Sequence, residues 1–381
     1  MHLSLYIHYP FCLQKCLYCA FNSCVDAPCS ADQYVAGLLR EMTLRAGMPQ
    51  KGSATVTLYF GGGTPSLLEP RQVARIIAAA AQYYSLAADA EITLECNPGT
   101  VTGEKLAAFR AAGVNRLSLG VQSFDDALLE RLGRVHSAEQ VLAAFAAARG
   151  AGFDNIGIDL IHSLPGQTLG QWQRELERAC ALRPEHLSVY GLAVEEGTPF
   201  AELEEAGKLS LPDEDVAADM YEKSAEILGA NGYEQYEIAN FARPGCRSRH
   251  NSGYWQRRPF LGFGAGAHSF LRAPGDEIRF SNADRIEDYL RLLADDRLPT
   301  GESRTLSPAE AMSESLFLGL RLTEGVALEH FQKEFSVSFQ EVFGSACADL
   351  FAAGLLELRH GFLRLTAKGR ILSNQVFVRF L

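Results

Sequence analysis

The chain has 381 residues, 47% hydrophobic and 21% charged, with a formal net charge of −11. That length predicts a full core and more than one domain, and the composition is that of a globular chain rather than a disordered or fibrous one. The acidic balance excludes a broad nucleic-acid or anionic-membrane surface, which needs clustered Lys and Arg.

No apolar run approaches the ~20 residues of a membrane span. The opening MHLSLYIHYPF lacks a basic region followed by a long apolar stretch, so a cytoplasmic protein is expected. In chain order, strand-like runs fall at 3–8, 55–60, 91–95, 116–121, 155–161 and 186–192. Segments with helical spacing lie between them at 31–46, 70–84, 102–112, 125–149 and 169–182. Strands alternating with helices predict right-handed βαβ units and a parallel sheet. Periodicity alone leaves open whether that sheet is doubly wound or a barrel. A helix at 213–230 and a short strand at 233–238 follow, and 243–282 then turns rich in Gly, Pro and Arg. Helices are expected at 307–321, 326–334 and 338–353, then a hairpin at 355–366 turned at His360-Gly361, a pattern like a winged-helix unit. Residues 301–381 hold eight Lys/Arg against nine Asp/Glu, which favours a packing domain over a DNA-binding one.

Nine cysteines is an odd count, and "PFCLQKCLYCAF" puts Cys12, Cys16 and Cys19 within eight positions. That pattern fits metal ligation in a reducing compartment better than a disulfide framework. A structural zinc ion wants four ligands. An iron–sulfur cube held by three thiolates leaves one iron open to another ligand. Cys96, Cys180 and Cys347 read as buried bystanders, while Cys24, Cys29 and Cys246 lie in polar loops and keep a redox or ligand role open. After the second strand comes GGGTP, where glycines let backbone approach a ligand closely. It is no phosphate loop, because the chain's Gly207-Lys208 precedes leucine. Glu95, Gln122, Arg134 and Asp159 stand at or near strand ends, where parallel α/β sheets gather ligands. In GFGAGAHSF the GxGxxA spacing has no strand–helix frame and reads as a tight turn, with His268 structural.

The stretches YIHYPFCLQKCLYC, GGGTPSLL, ECNPGT, GVQSF, LGRVH and DLIHSLPGQT together resemble the coproporphyrinogen-dehydrogenase-like branch of the radical S-adenosylmethionine (SAM) superfamily. The resemblance spans nearly the whole chain. It implies an α/β fold, a partial (β/α)6 TIM-type barrel with a small C-terminal helical, winged-helix-like domain. It also implies a [4Fe-4S] cluster on Cys12, Cys16 and Cys19, and SAM contacted by Tyr6, Gly62, Gly63, Thr64, Glu95, Gln122, Arg134 and Asp159. The expected units are a barrel over 1–240, a barrel-closing and haem-binding segment over 241–298, and a helical domain with a hairpin over 299–381.

This branch holds oxygen-independent coproporphyrinogen III dehydrogenases and HemW-type haem chaperones. The dehydrogenases usually carry a further Cys two residues after the third ligand, where this chain has Phe21, and an extension before the cluster, where eleven residues precede Cys12. Residues 250–255, HNSGYW, match the HNxxYW motif of the chaperones. A haem site wants an axial donor, aromatic contacts and cations for the propionates. His250, Asn251, Tyr254 and Trp255, flanked by Arg247, Arg249, Arg257 and Arg258, supply that set, with Cys246 a lesser rival to His250 as ligand. The expectation is a haem chaperone that hands haem to an acceptor protein, a membrane respiratory enzyme being one candidate, with no nucleic-acid partner. The alternative is radical decarboxylation of coproporphyrinogen propionates, so enzyme status stays open; a radical enzyme acting on another substrate is the third reading.

Overall fold

In the computed structural model, residues 2–48, 52–273 and 275–380 are described. Six parallel strands, β1 (His2–Tyr9), β2 (Ala54–Gly62), β3 (Leu86–Cys96), β4 (Arg116–Gln122), β5 (Ile156–His162) and β6 (His186–Gly191), pair in sequence order. Helices α1 (Ala31–Leu44), α2 (Pro70–Tyr84), α3 (Gly103–Ala112), α4 (Asp126–Arg131), α5 (Ala138–Gly150) and α6 (Leu169–Leu182) run between them. The choice that periodicity leaves open is settled by alternation. Leu5, Ile7, Leu58, Phe60, Ile92, Leu94, Leu117, Leu119, Ile158 and Leu187 pack with Val35, Ile76, Phe109, Phe145 and Trp172 of the helices in one apolar cluster. The alternate positions Tyr59, Glu95, Ser118, Asp159 and Ser188 face a shared interior cavity. A sheet with one apolar face against helices and one polar face enclosing a cavity is a partial barrel, not a doubly wound sheet.

The sheet continues beyond these six strands. After α7 (Pro199–Glu205) and α8 (Glu214–Ala230), β8 (Asn240–Ala242) pairs antiparallel to β6, and the short β7 (Glu234–Gln235) pairs antiparallel to β8 at the sheet edge. The strand expected over 233–238 is thus two residues long. HNSGYW folds as a helix, α9 (Arg249–Trp255), because Ser248 caps it by accepting from the Asn251 N–H and the Glu91 carboxylate accepts from the N–H groups of Arg249 and His250. β9 (Phe260–Phe263) pairs parallel to β1, and β10 (His268–Ala273), β11 (Asp276–Asn282) and β12 (Thr300–Thr305) extend that edge antiparallel. The Gly-rich stretch over 243–282 therefore holds a helix and strands, which composition alone concealed. Its GFGAGA segment is the expected tight turn, with φ of 106° at Gly264 and 71° at Gly266. After α10 (Ile286–Ala294), helices α11 (Pro308–Gly319), α12 (Leu328–Phe335), α13 (Phe339–Phe343) and α14 (Ala348–Ala352) pack on a three-stranded sheet of β13 (Val326–Ala327), β14 (Leu356–Arg359) and β15 (Phe362–Leu365). The helix expected over 338–353 is two short ones. The hairpin turns at His360-Gly361, both with positive φ, as a two-residue turn requires. Among the described residues no helix is long and apolar enough to cross a membrane.

Candidate functional site

A cavity of about 660 Å3 opens at the carboxyl ends of the barrel strands, within the range of small-molecule sites. Cys12, Cys16 and Cys19, on the loop after β1, line it, each half-buried. Among the described residues no three His, Cys, Asp or Glu side chains converge as a single-ion site. A four-iron cube bonds each thiolate at a different iron and so asks for sulfurs spread around it.

The cysteine loop is held by its neighbours rather than by its own structure. Cys24 bridges the start of the loop on either side of Phe11, its O accepting from the Cys12 N–H at 2.9 Å and its N–H donating to Pro10 O at 2.9 Å. The end of β2 zips onto the same loop: Gly63 N–H donates to Tyr9 O at 2.8 Å and Thr64 N–H to Phe11 O at 2.9 Å. A Cβ on Gly63 would lie 2.8 Å from the Pro10 and Phe11 backbone. One reason for glycine there is thus loop-to-loop approach, besides the ligand approach read from GGGTP. From the other flank, the helix expected over 125–149 breaks between α4 and α5 at Gly133, φ 71°. Leu132 O accepts from the Leu17 N–H at 3.1 Å, and Arg134 enters the cavity with Nη1 3.4 Å from the Cys16 sulfur and Nη2 donating to Gly120 O at 2.8 Å.

Of the residues assigned to SAM, Gly62, Gly63, Thr64, Glu95, Gln122, Arg134 and Asp159 line the cavity. Tyr6 does not; it stacks on the wall residue Tyr59 with ring centroids 6.2 Å apart. Gln122 adopts φ 67°, strained for a non-glycine, at a register shift between β4 and β5. Burial pushes the Glu95 carboxyl up to about 7, opposed by the Tyr59 hydroxyl, which donates to it at 2.7 Å. Burial also raises Asp159, whose two oxygens accept from Ser118 at 3.2 Å. The set suits the implied groups: thiols for iron, carboxylates for a cationic ligand, and a guanidinium for a carboxylate. The buried Nε atoms of Arg116 and Arg134 have no partner among the described residues, which leaves donor capacity inside the cavity for a ligand.

Sequence reasoning missed the wall residues Tyr59, Arg116, Ser118, Ser188 and Tyr190. Their signal was present as period-2 polar positions inside strands that were read only as apolar runs. Cys96, expected to be a buried bystander, is buried but touches the cavity wall.

The haem set is not assembled as expected. Helix α9 lies at the opposite end of the barrel from the cysteine loop, against Ser4, Thr57 and Glu91. His250 is 1% exposed. Its Nδ1 is hydrogen-bonded to Thr57 Oγ1 at 2.8 Å and its Nε2 to the Tyr254 hydroxyl at 2.8 Å, so neither ring nitrogen is open to iron in this conformation. Burial lowers its pKa to about 3, with Arg116 adding to the effect. Asn251 reaches the cavity. Trp255 stands apart, under the Arg321 guanidinium at 4.3 Å. Arg257 is no propionate donor here, because it is buried against Glu277, Glu314 and Glu334. Arg247 pairs with Glu234, and Arg249 donates to Asp89 O.

Comparison with known proteins places this geometry. The radical SAM superfamily model matches residues 6–179, and the HemN C-terminal domain model matches 306–372. A curated relative, heme chaperone HemW of Bacillus subtilis, is 38% identical over 99% of both chains. Heme chaperone HemW of Escherichia coli is 41% identical over 72% of each chain. The solved structure of the E. coli coproporphyrinogen III oxidase HemN, described as a radical SAM enzyme, superposes with a TM-score of 0.84 at 27% identity, covering 99% of this chain and 89% of that one. With its cysteine loop on a partial barrel and full-length likeness at these levels, the chain belongs to the HemW family of radical SAM proteins.

Proposed function

We propose that this chain is a haem chaperone of the cytoplasm, binding haem and passing it to an acceptor protein, on a scaffold that carries a [4Fe-4S] cluster and SAM. The observation that carries the reading is full-length identity of 38% to a protein named heme chaperone, with the HNSGYW motif intact. Phe21, 67% exposed, stands at the cavity rim at the position where the dehydrogenase pattern has a further cysteine.

Cys12, Cys16 and Cys19 would hold the cluster. Glu95, Asp159, Gln122, Arg134, Gly62, Gly63 and Thr64 would hold SAM, with Tyr6 behind Tyr59. When bound, the cluster supplies an electron and SAM a reducible sulfonium. The chain's own residues fix the loop through Gly63 and Thr64, set a guanidinium beside Cys16, and keep two carboxyls in a water-poor interior. The working division assigns cluster and SAM to 1–240, haem binding and barrel closure to 241–298, and packing to 299–381. A respiratory enzyme of the membrane is a candidate acceptor.

The test is paired. The protein is reconstituted without oxygen, given coproporphyrinogen and SAM, and separately titrated with haem while the Soret band is recorded. One haem per chain with coproporphyrinogen unchanged is expected. Formation of vinyl groups would overturn the reading in favour of the dehydrogenase.

A further inference from the structure

One step back along the strands from Glu95, Ser118, Asp159 and Ser188 lies a second inward-facing row: Thr93, Arg116, Gly157 and His186. Thr93 of β3 pairs with Arg116 of β4, and Gly157 of β5 with His186 of β6. Arg116 is 1% exposed, yet it lines the cavity, and its Nε donates to nothing among the described residues. The carboxylates whose charge it feels, Glu91 and Asp159, are held by other donors. Glu91 accepts from the N–H groups of Arg249 and His250 at 2.8 and 3.0 Å, and Asp159 accepts from Ser118 at 3.2 Å. An ionised guanidinium this deep is costly unless an anion answers it.

Two further buried polar atoms of this row, the Thr93 hydroxyl and His186 Nδ1, have no partner among the described residues. His186 Nε2 lies 2.8 Å from the Tyr236 hydroxyl, which accepts from the Ser248 N–H at 3.4 Å. The hydroxyl proton therefore goes to Nε2, and the imidazole, kept neutral by burial, carries its own proton on Nδ1. Nδ1 is then a donor, as the guanidinium is and as the hydroxyl can be. Between Arg116 and His186 the chain places Gly157, whose φ is not positive, so the backbone does not ask for glycine. A Cβ there would lie 3.3 Å from Arg116 Nη2 and 3.4 Å from His186 Nδ1, so the absent side chain leaves room where the two donors converge.

We infer that Arg116, His186 Nδ1 and the Thr93 hydroxyl form a site for the carboxylate of a small monoanionic ligand, separate from the residues assigned to SAM. The class follows from shape and charge. A guanidinium fork matches a planar acceptor with two oxygens. One positive charge near Glu91, Glu95 and Asp159 accepts a single negative charge and repays a dianion poorly. Arg134 stands with the cluster loop, 3.4 Å from the Cys16 sulfur, whereas Arg116 stands a row below Ser118 and Asp159. The site does not depend on the haem reading.

The test uses the full chain with its cluster reconstituted, with and without saturating SAM, and propionate as the probe. Ligand-observed NMR gives propionate affinity, and calorimetry gives SAM affinity. The wild type should bind propionate saturably, with or without SAM, and its thermal midpoint should rise as propionate is added. Arg116→Gln should weaken propionate by roughly tenfold or more, the effect of losing bonds to a charged group, and weaken SAM far less. Gly157→Ala keeps every donor and fills the space between them, and it too should weaken propionate. Inorganic phosphate should bind roughly tenfold more weakly than propionate. Acetate and butyrate separate two sources of the carboxylate. Affinity that falls with chain length marks a short free acid and affinity that rises marks the end of a larger molecule, and either supports the site. Iron content and near-ultraviolet circular dichroism show that each variant is folded. Absence of saturable propionate binding, or equal affinity in wild type and both variants, would overturn the site. Displacement of propionate by SAM, or an equal loss of SAM affinity in Arg116→Gln, would give the guanidinium to SAM and overturn it as well. Phosphate bound as tightly as propionate would overturn the carboxylate class.

Discussion

At the scale of single residues, the interior of the barrel makes titration a readout of structure. His250, held neutral by burial with a pKa near 3, takes up a proton in the unfolded chain at about 6.5. Its depressed value means that its share of stability is present above about pH 6.5 and is lost as the pH falls towards 3. Glu95 has the opposite sign. Its carboxyl is raised to about 7, so its share is present below the ordinary carboxyl range and is lost as the pH rises through 7. In the protein without cofactors, Glu95→Gln should raise the thermal midpoint at pH 8 and leave it nearly unchanged at pH 4. His250→Gln should flatten the acid limb between pH 6.5 and 3. Calorimetric scans across pH check both, and a Glu95→Gln midpoint that falls at pH 8 would contradict the assigned cause. Which residues can ligate was half legible. The cysteines announced themselves by spacing, but the engagement of both His250 nitrogens depends on Thr57 and Tyr254, and nothing in HNSGYW names Thr57.

At the scale of elements, the cysteine loop has little regular structure and borrows order from three neighbours. The β2 end zips onto Pro10–Phe11, the break at Gly133 accepts from Leu17, and the β9–β10 turn closes beneath. In that turn a Cβ on Gly264 would lie 2.5 Å from His8 O, and Ala265 O accepts from Asn22 at 3.4 Å. Gly63→Ala should therefore push the loop away from β2 and lower cluster content well below the wild-type value, read as iron and acid-labile sulfide per chain. A fully loaded variant would show that the close approach has slack. The same logic explains why the long helix expected at 125–149 is two: apolar periodicity runs through 132–137, but Arg134 is needed inside the cavity and Leu132 O is needed by Leu17. Local signals mark the same break: Gly133 ends α4 with φ 71°, and Ser137 opens α5 with a capping box to Gln140.

At the scale of the molecule, the C-terminal helices are tied to the barrel sheet by buried charge. Arg257, with positive φ at 48°, meets Glu277 of β11, Glu314 of α11 at 2.9 Å and Glu334 of α12 at 3.3 Å. Nearby, Arg321 covers Trp255, whose buried indole N–H has no acceptor among the described residues. Arg257→Met would leave Glu277 and Glu334 to Arg272 and Glu314 to Arg279, and should cost about 1.5–3 kcal/mol, the loss of charge-assisted bonds at a largely buried site. Denaturant unfolding measures it, with cluster content as the control for a barrel left intact. A cost under about 1 kcal/mol would mean that water reaches those carboxylates.

The sequence by itself determined the parallel βα order, the cysteine loop, the strand-end polar residues and the terminal hairpin. These rest on periodicity, spacing and turn chemistry, which are local. Only the tertiary structure decided that the sheet curls into a partial barrel and that HNSGYW is a helix set beneath the cavity. It also decided that Arg257 is an internal tie and that Tyr59 joins His250 to Glu95. Those facts join residues as far apart in the chain as 57 and 250, and a contact across such a separation is fixed by packing and by the need to pair buried polar groups, not by any neighbour in sequence.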